Sequence, residues 1–301
     1  VASDCGFPFY VANYQDSFQE RVVEYFVDEY RRGRTPSPCI LCNDHLKFDI
    51  LLERMVALDG AYLATGHYAR IEHSDGRWKL LRGVDSKKDQ SYFLFGLRRE
   101  TLASIRFPLG ESTKAEVRDL AVELGLETAN KPESQDICFV AGRSYVDFVE
   151  ERLKAEEIRP GRIVRAGTGE VLGTHQGIHR YTVGQRRGLG IGYPEPLYVK
   201  RVDANSGDVI VGVAGEVTES KFRVERCNWL KWEKPPAVFS ASCQVRYRHH
   251  GVASTVAVDL TDPTCATVTL DTPDRGISPG QAAVFYDGDE VLGGGWIEEV
   301  G

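Results

Sequence analysis

Several things are scarce in these 301 residues, and each absence narrows the field. No uninterrupted apolar stretch approaches the ~20 residues that a membrane helix needs, so no membrane partner is expected. Residues 1–14 lack the basic start and apolar centre of a secretory signal. Seven cysteines are too few and too scattered for a disulfide scaffold, and an odd count suits a reducing compartment. There is no internal repeat and no low-complexity linker. Neither a dinucleotide-type G-x-G-x-x-G nor a P-loop G-x-x-x-x-G-K-S/T occurs. What remains is a soluble, cytoplasmic, globular protein. The chain opens on Val1 rather than methionine, in what reads as the tail of a helix followed by a strand, so an N-terminal portion is expected to be missing.

What is present fits a folded chain, with 42% hydrophobic and 27% charged residues. The length predicts two or three domains, because single cores stop growing at roughly 250–300 residues. The net charge of −7 divides unevenly, with −3 over 1–146, +1 over 147–215 and −5 over 216–301. Within 159–187, Arg159, Arg162, Arg165, Arg180, Arg186 and Arg187 face a single acid, Glu170. A polyanion could bind there despite the overall sign. The competing reading is a solvated arginine-rich surface.

Residues 1–146 alternate strand and helix patterns, which predicts a parallel sheet with helices on both faces. An apolar strand is expected over 7–13 and a helix from Ser17 to Gly33. A second helix around Phe48–Met55, a buried strand over 61–65 and a hairpin turning at Ser74-Asp75-Gly76 follow. Thr113 and Glu116 form a capping-box pattern that opens a helix ending at Gly125. Active sites in such sheets lie beyond the carboxyl ends of strands, here after Asn13 and Thr65. From about residue 216, short strands separated by turn signals predict a small barrel or sandwich.

Four stretches could carry chemistry. Cys39-Ile40-Leu41-Cys42 is a Cys-x-x-Cys suited to redox exchange, zinc or an activated nucleophile. Zinc would need further ligands, of which only His45 is near. With Asn43 or Asp44 capping the next helix, Cys42 is expected near a helix N-terminus, its thiol pKa lowered. The polar loop 131–139 ends with Cys138, which Lys131 and Arg143 could stabilise as a thiolate, although a lone cysteine there also fits plain packing. Gly66-His67-Tyr68 follows a strand, where glycine admits close backbone approach of a ligand. Lys88-Asp89-Gln90-Ser91-Tyr92 offers a cation and an amide beside an aromatic, a grip for phosphate and base. Residues 175–191 interleave glycine, aromatic and arginine, as RNA-tracking loops do.

Taken together and in this order, these stretches resemble the tRNA-specific 2-thiouridylase family (MnmA, also TrmU). Later matches are Gln244-Val245-Arg246-Tyr247-Arg248 and 278–286, so the resemblance spans the chain. It implies an α/β + β architecture: a partial adenine-nucleotide α-hydrolase (PP-loop) parallel-sheet domain over 1–146, a small central tRNA-contacting domain over 147–215 and a C-terminal β-barrel over 216–301. It implies ATP-dependent replacement of the 2-oxygen of the wobble uridine by sulfur, with ATP and Mg²⁺ as co-substrate and no tightly bound metal. The partners implied are tRNAs of the Lys, Glu and Gln type and a persulfide donor such as a cysteine desulfurase or sulfur-relay protein.

Carried over by position, the resemblance makes Cys42 the nucleophile and Cys138 the persulfide carrier. Cys39 stands where some members have an aspartate acid/base, and would be an acid/base or accessory thiol. Gly66 would lie beside the adenylate, and His67, Lys88, Asp89, Gln90, Arg186, Arg187, Arg246, Tyr247 and Gln281 would touch tRNA. The loop 131–139 is expected to close over the first cysteines only with tRNA bound. The family's Ser-Gly-Gly-x-Asp-Ser loop appears nowhere in these residues, so they are expected to bind ATP weakly or not at all, although the full-length protein would use it. A non-catalytic tRNA-binding protein and a zinc or dithiol oxidoreductase are the alternatives.

Overall fold

The computed structural model describes residues 1–130, 137–140 and 142–301. The helical stripe from Ser17 becomes one helix over 15–31, which buries Val22, Val23, Phe26, Val27 and Tyr30. Gly33 ends it at φ +68°, close enough to Val202 that a Cβ would meet its Cγ1 at 2.6 Å. Only glycine takes that backbone angle and that spacing at no cost.

A second helix covers 38–57 and opens ahead of the two cysteines, not after them. Pro38 explains the earlier start, since its fixed φ and missing N–H suit a first helical position. The middle of this helix, Cys42–Ile50, is wound in wider turns closed by i→i+5 hydrogen bonds, the last from Leu51 N to Leu46 O. The strand expected over 7–13 does not form. Phe9, Tyr10 and Val11 are 76%, 73% and 86% exposed, and no described strand pairs with them. An apolar run becomes a strand only where a neighbour takes its hydrogen bonds.

Strands β1 (Leu63–Ala64), β2 (Ala69–Ser74), β3 (Arg77–Arg82) and β4 (Ile105–Arg106) follow. β1 and β4 pair in parallel, a shorter parallel sheet than the alternating pattern suggested. β2 and β3 make the expected hairpin. Asp75 and Gly76 occupy its two-residue turn, both at positive φ (52° and 73°), which matches the right-handed twist of the strands. Thr113 and Glu116 bond reciprocally at the start of Lys114–Glu123, as the capping pattern predicted.

A middle sheet contains β5 (Gly161–Arg165), β6 (Val171–His175), β7 (Leu197–Asp203) and β8 (Asp208–Val213) in the order 6-5-8-7. Its core is Ile163, Val199, Val209 and Val211. The last portion holds β9 (Thr218–Trp229), β10 (Val238–Gln244), β11 (Val252–Val258), β12 (Ala266–Arg275), β13 (Ala282–Asp287) and β14 (Glu290–Val300). These run antiparallel in the order 13-10-11-12-9-14, and pairing of β13 with β14 closes a six-stranded barrel around Val224, Val256, Val268, Phe285 and Ile297. Closure removes the exposed edges of an open sheet. One feature was not expected. β14 also pairs with β3 through Glu290 and Leu81, and Arg82 N donates to Asp289 O at 2.9 Å, so the early hairpin extends the barrel's sheet.

Candidate active site

The segment that delivers the first cysteines is held from two sides. Arg34 donates to both carboxylate oxygens of Glu298 on β14, at 2.5 and 2.9 Å, and through Nε to Glu29 of the 15–31 helix at 2.8 Å. Gln281 Nε2 donates to Thr35 O and Pro36 O, each at 3.0 Å, and Thr35 N donates to Pro279 O. Ser278 Oγ donates to Thr35 Oγ1 at 2.8 Å. The barrel therefore fixes where Pro38 begins its helix, and with it the positions of Cys39 and Cys42.

Cys39, Cys42 and Cys138 all line one cavity of about 260 Å³, with Lys47, His67 and Gln90 on its walls. All three are free thiols; Cys39 and Cys138 are exposed and Cys42 is half-buried. Cys138 is seated by its neighbours. Phe139 packs edge-on against Phe18 and Phe26, with ring centres 5.6 and 5.2 Å apart, and Ile137 joins the same cluster. The end of the loop thus already reaches the first cysteines, contrary to the expected stand-off. Residues 131–136, which carry the rest of that motif, lie outside the described residues.

The lowered thiol pKa expected for Cys42 is not what the surroundings produce. With the helix starting at Pro38, Cys39 is the thiol nearer its N-terminus. Burial pushes the Cys42 thiol up, Lys47 pulls it back down, and Cys138 adds to the rise. Although the Cys39 residue is exposed, its thiol is crowded and pushed up to about 11, first by burial and then by Cys138 and Cys42, against Lys47. Burial is the largest cause at both positions.

His67 is buried at 7% exposure and makes hydrogen bonds through both ring nitrogens. Asn43 Nδ2 donates to Phe93 O at 3.0 Å, which turns Asn43 Oδ1 toward His67 Nε2 at 3.2 Å. Nε2 also lies 3.4 Å from Lys47 Nζ, and Nδ1 and Thr65 Oγ1 are 2.7 Å apart. Burial, reinforced by Lys47, lowers its pKa to about 3, so the ring is neutral. Asn43 lies inside the helix, not at a cap. Asp89 is also buried. Its carboxylate accepts from Arg82 Nη1, Ser91 Oγ and the Gly83 and Ser91 amides at 2.8–3.1 Å, so it holds its loop and does not face outward. Gln90 bonds Tyr68 twice, through its backbone N–H to Tyr68 O and its Oε1 from Tyr68 N, which joins two motifs that the sequence separates.

A second cavity of about 560 Å³ shares Cys39, Gln90 and Phe93 with the first, and adds Gly66, Lys88, Tyr247 and Gln281. Tyr247 packs on Phe93 with ring centres 4.5 Å apart. A Cβ on Gly66 would meet only Leu109 Cδ1 at 3.6 Å, so this glycine serves approach from the cavity and not internal packing. Arg246 faces a separate cleft of about 360 Å³ and bonds Asp274 at 2.7 Å. Arg186 lines a cleft along 188–197, and Arg187 is exposed beside it.

The arginine stretch is less available than its composition suggested. Arg162 pairs with Asp208, Arg165 with Glu216 and Arg180 with Glu150, while Arg159 bonds Glu156 O. Arg186 and Arg187 have no carboxylate within 4.0 Å among the described residues. Arg143, expected to aid Cys138, is tied to Glu151 at 2.9 Å. His45 sits 3.6 Å from Asp49, and among the described residues no group of three or more His, Cys, Asp or Glu converges as a metal site. Lys47 was not singled out from the sequence, and Asn43 was expected only as a helix cap. The wide helical turns bring Asn43 and Lys47 to the cavity, and Thr65 meets it through its contact with His67.

Comparison with known proteins follows the same lines. The family model described as tRNA methyl transferase HUP domain matches residues 1–142, that of a tRNA methyl transferase PRC-barrel domain 146–213, and that of an aminomethyltransferase beta-barrel domain 219–297. The chain is 51% identical over 299 residues to the tRNA-specific 2-thiouridylase MnmA of Geobacter metallireducens, covering 99% of this chain and 80% of that protein. It is 49% identical to the protein of the same name from Geotalea uraniireducens, with 99% and 78% covered. Against that of Carboxydothermus hydrogenoformans it is 45% identical, with 99% and 81% covered.

Proposed function

The chain belongs to the tRNA-specific 2-thiouridylase family, and from that premise we propose how its cavities do the chemistry. It is a tRNA sulfurtransferase that makes 2-thiouridine, and it uses ATP. The acceptor is the wobble uridine of tRNAs of the Lys, Glu and Gln type, and ATP acts with Mg²⁺. The observation that carries this reading is the shared cavity of Cys42 and Cys138, opening beside a second one large enough for a base.

A uridine carbonyl oxygen leaves poorly, so ATP is spent to convert it to an adenylate. The terminal sulfur of a Cys138 persulfide attacks C2, and AMP departs with the oxygen. The Cys42 thiolate then attacks the Cys138 sulfur, and the bond between the two persulfide sulfurs breaks. Sulfur stays on C2 and a Cys42–Cys138 disulfide forms, which an external dithiol reduces with two electrons. Bridging asks for Cα atoms about 4.4–6.8 Å apart. A cysteine desulfurase or sulfur-relay protein reloads Cys138.

Gly66 lies beside the adenylate. Lys88, Gln90, Tyr247 and Gln281 meet the RNA at the second cavity, and Arg246, Arg186 and Arg187 meet it further out. His67 and Asp89 act by positioning, as their burial supports. Cys39 is an accessory thiol at the shared wall. The division into 1–146, 147–215 and 216–301 is supported by the three matched models and the separate middle sheet. The protein works in the cytoplasm; among the described residues no helix is long and apolar enough to cross a membrane.

A single-turnover assay of the whole protein with persulfide donor, ATP and tRNA, read as 2-thiouridine by nucleoside mass spectrometry, tests the reading. Product with the parent and none with Cys138→Ser is expected. Tight tRNA binding with no product from the parent would favour a non-catalytic binder instead.

A further inference from the structure

We propose that Lys47 is the cation that counters the burial of the Cys42 thiol and favours its ionised form in the reactive cavity, an inference that rests on the sulfur-transfer reading above. Its placement follows from the local winding. In an α-helix of 3.6 residues per turn, positions five apart point to different sides. Cys42–Ile50 is instead closed by i→i+5 hydrogen bonds, so more residues fit each turn and Lys47 comes round to the side of Cys42. Both line the same cavity.

The charged and titratable groups facing this cavity are few. From the helix itself come Cys39, Cys42 and Lys47; from the segment 137–139 comes Cys138; from the loop after β1 comes His67. The 15–31 helix contributes Phe18 and Val22, which carry no charge, and Gln90 and Asn43 are neutral amides. Among the described residues lining it, Lys47 is the one cation and no carboxylate opposes it.

His67 cannot share the task. Burial, reinforced by Lys47, lowers its pKa to about 3, so the ring stays neutral. The Lys47 ammonium lies 3.4 Å from His67 Nε2, at the cavity wall that both line. The ammonium charge shares this wall with the thiols. It opposes the burial that raises both Cys39 and Cys42. An anion in a partly desolvated cavity needs such a partner, because solvent no longer supplies one. The pairing also suits the chemistry: the attack on Cys138 requires Cys42 as thiolate, and a nearby cation raises the share of that form.

The test is the pH dependence of iodoacetamide alkylation at Cys42, read by peptide mass spectrometry in a Cys39→Ser background. Lys47→Met is expected to move the midpoint upward by about one pH unit, a roughly tenfold loss of thiolate at neutral pH. Lys47→Arg, which keeps the charge, should leave the midpoint near the parent's. Lys47→Gln gives the same reading should the methionine variant fail to fold. Equal midpoints in the parent and the neutral variants would overturn the assignment. The outcome is independent of tRNA: a shifted midpoint in a protein that makes no 2-thiouridine keeps the ion pair and removes the sulfur-transfer reading, whereas thiolation with an unshifted midpoint does the reverse.

Discussion

Arg34 and Glu298, 264 positions apart, form a two-point ion pair that ties the approach to Cys39 to the last strand of the barrel. Both side chains are largely covered, at 18% and 20% exposure, and the same arginine also bonds Glu29. Glu298→Ala leaves a half-buried guanidinium short of a partner. The expected loss is about 2 kcal/mol of stability, in the range for hydrogen bonds to charged groups. Urea unfolding measures it. Thiolation by the folded variant should fall as well, because the cysteine turn is released.

The two thiols assigned to sulfur transfer should fail in the same assay for different reasons. Cys138→Ser cannot carry the sulfur, and Cys42→Ser cannot cleave the linkage after C2 has been attacked. Neither should weaken tRNA binding by more than about twofold, well under 1.4 kcal/mol. Cys42→Ser should in addition trap RNA covalently on Cys138, visible as a band that a reducing agent removes. Free RNA in that lane would count against the order of steps.

Two buried groups bend the stability profile in opposite directions. His67 drops from 6.5 to about 3 on folding, so the unfolded chain binds the extra proton between those values. Its contribution is complete above pH 6.5 and is lost as pH falls toward 3. Asp44, packed so closely on Gly96 that a Cβ there would lie 2.2 Å from Oδ2, is pushed up to about 8 by burial and by Asp49. It is protonated in the folded chain at neutral pH, and stability falls as pH rises from 3.8 toward 8. The slopes oppose each other between 3.8 and 6.5, each at most about 1.4 kcal/mol per pH unit. Asp44→Asn should therefore gain on the parent as pH rises, and His67→Gln should gain on it as pH falls. Urea unfolding from pH 4 to 8 reads both.

Salt dependence separates the arginines. Removing Arg186 and Arg187 together should flatten the plot of log affinity for tRNA against log salt by about 1 to 2, near 0.7–0.9 per lost phosphate contact. Arg162→Ala should leave that slope as it is, because Arg162 is already matched to Asp208 at 2.8 Å. Filter binding across a salt series distinguishes the two.

The barrel was legible because its strands are short, regularly spaced and divided by turn residues, and the Asp75-Gly76 hairpin because only certain residues accept positive φ. The cysteine motifs were legible as chemistry, and their convergence was implied by family resemblance alone. The helix start was misjudged, since Pro38 reads equally as a loop residue and as a first helical position. The strand over 7–13 was overcalled because periodicity shows a preference but not a partner. Lys47 was invisible, because the winding that brings it beside Cys42 leaves no mark in hydrophobic spacing. The arginine run was read by count, while its neutralising partners Asp208, Glu216 and Glu150 lie tens of residues away or on other elements.

The continuous ladder from β2 through β3 and β14 into the barrel has a mechanical consequence. Backbone hydrogen bonds spanning the two outer portions make them resist separation as one plate. The middle sheet shares no strand with that plate among the described residues and leans on it through side chains such as Arg31–Glu157 and Lys200–Glu219, and through the glycine contact of Gly184 with Gly276. Arg186 and Arg187 belong to this separately built piece, whereas Glu298, which clamps the cysteine turn, belongs to the plate.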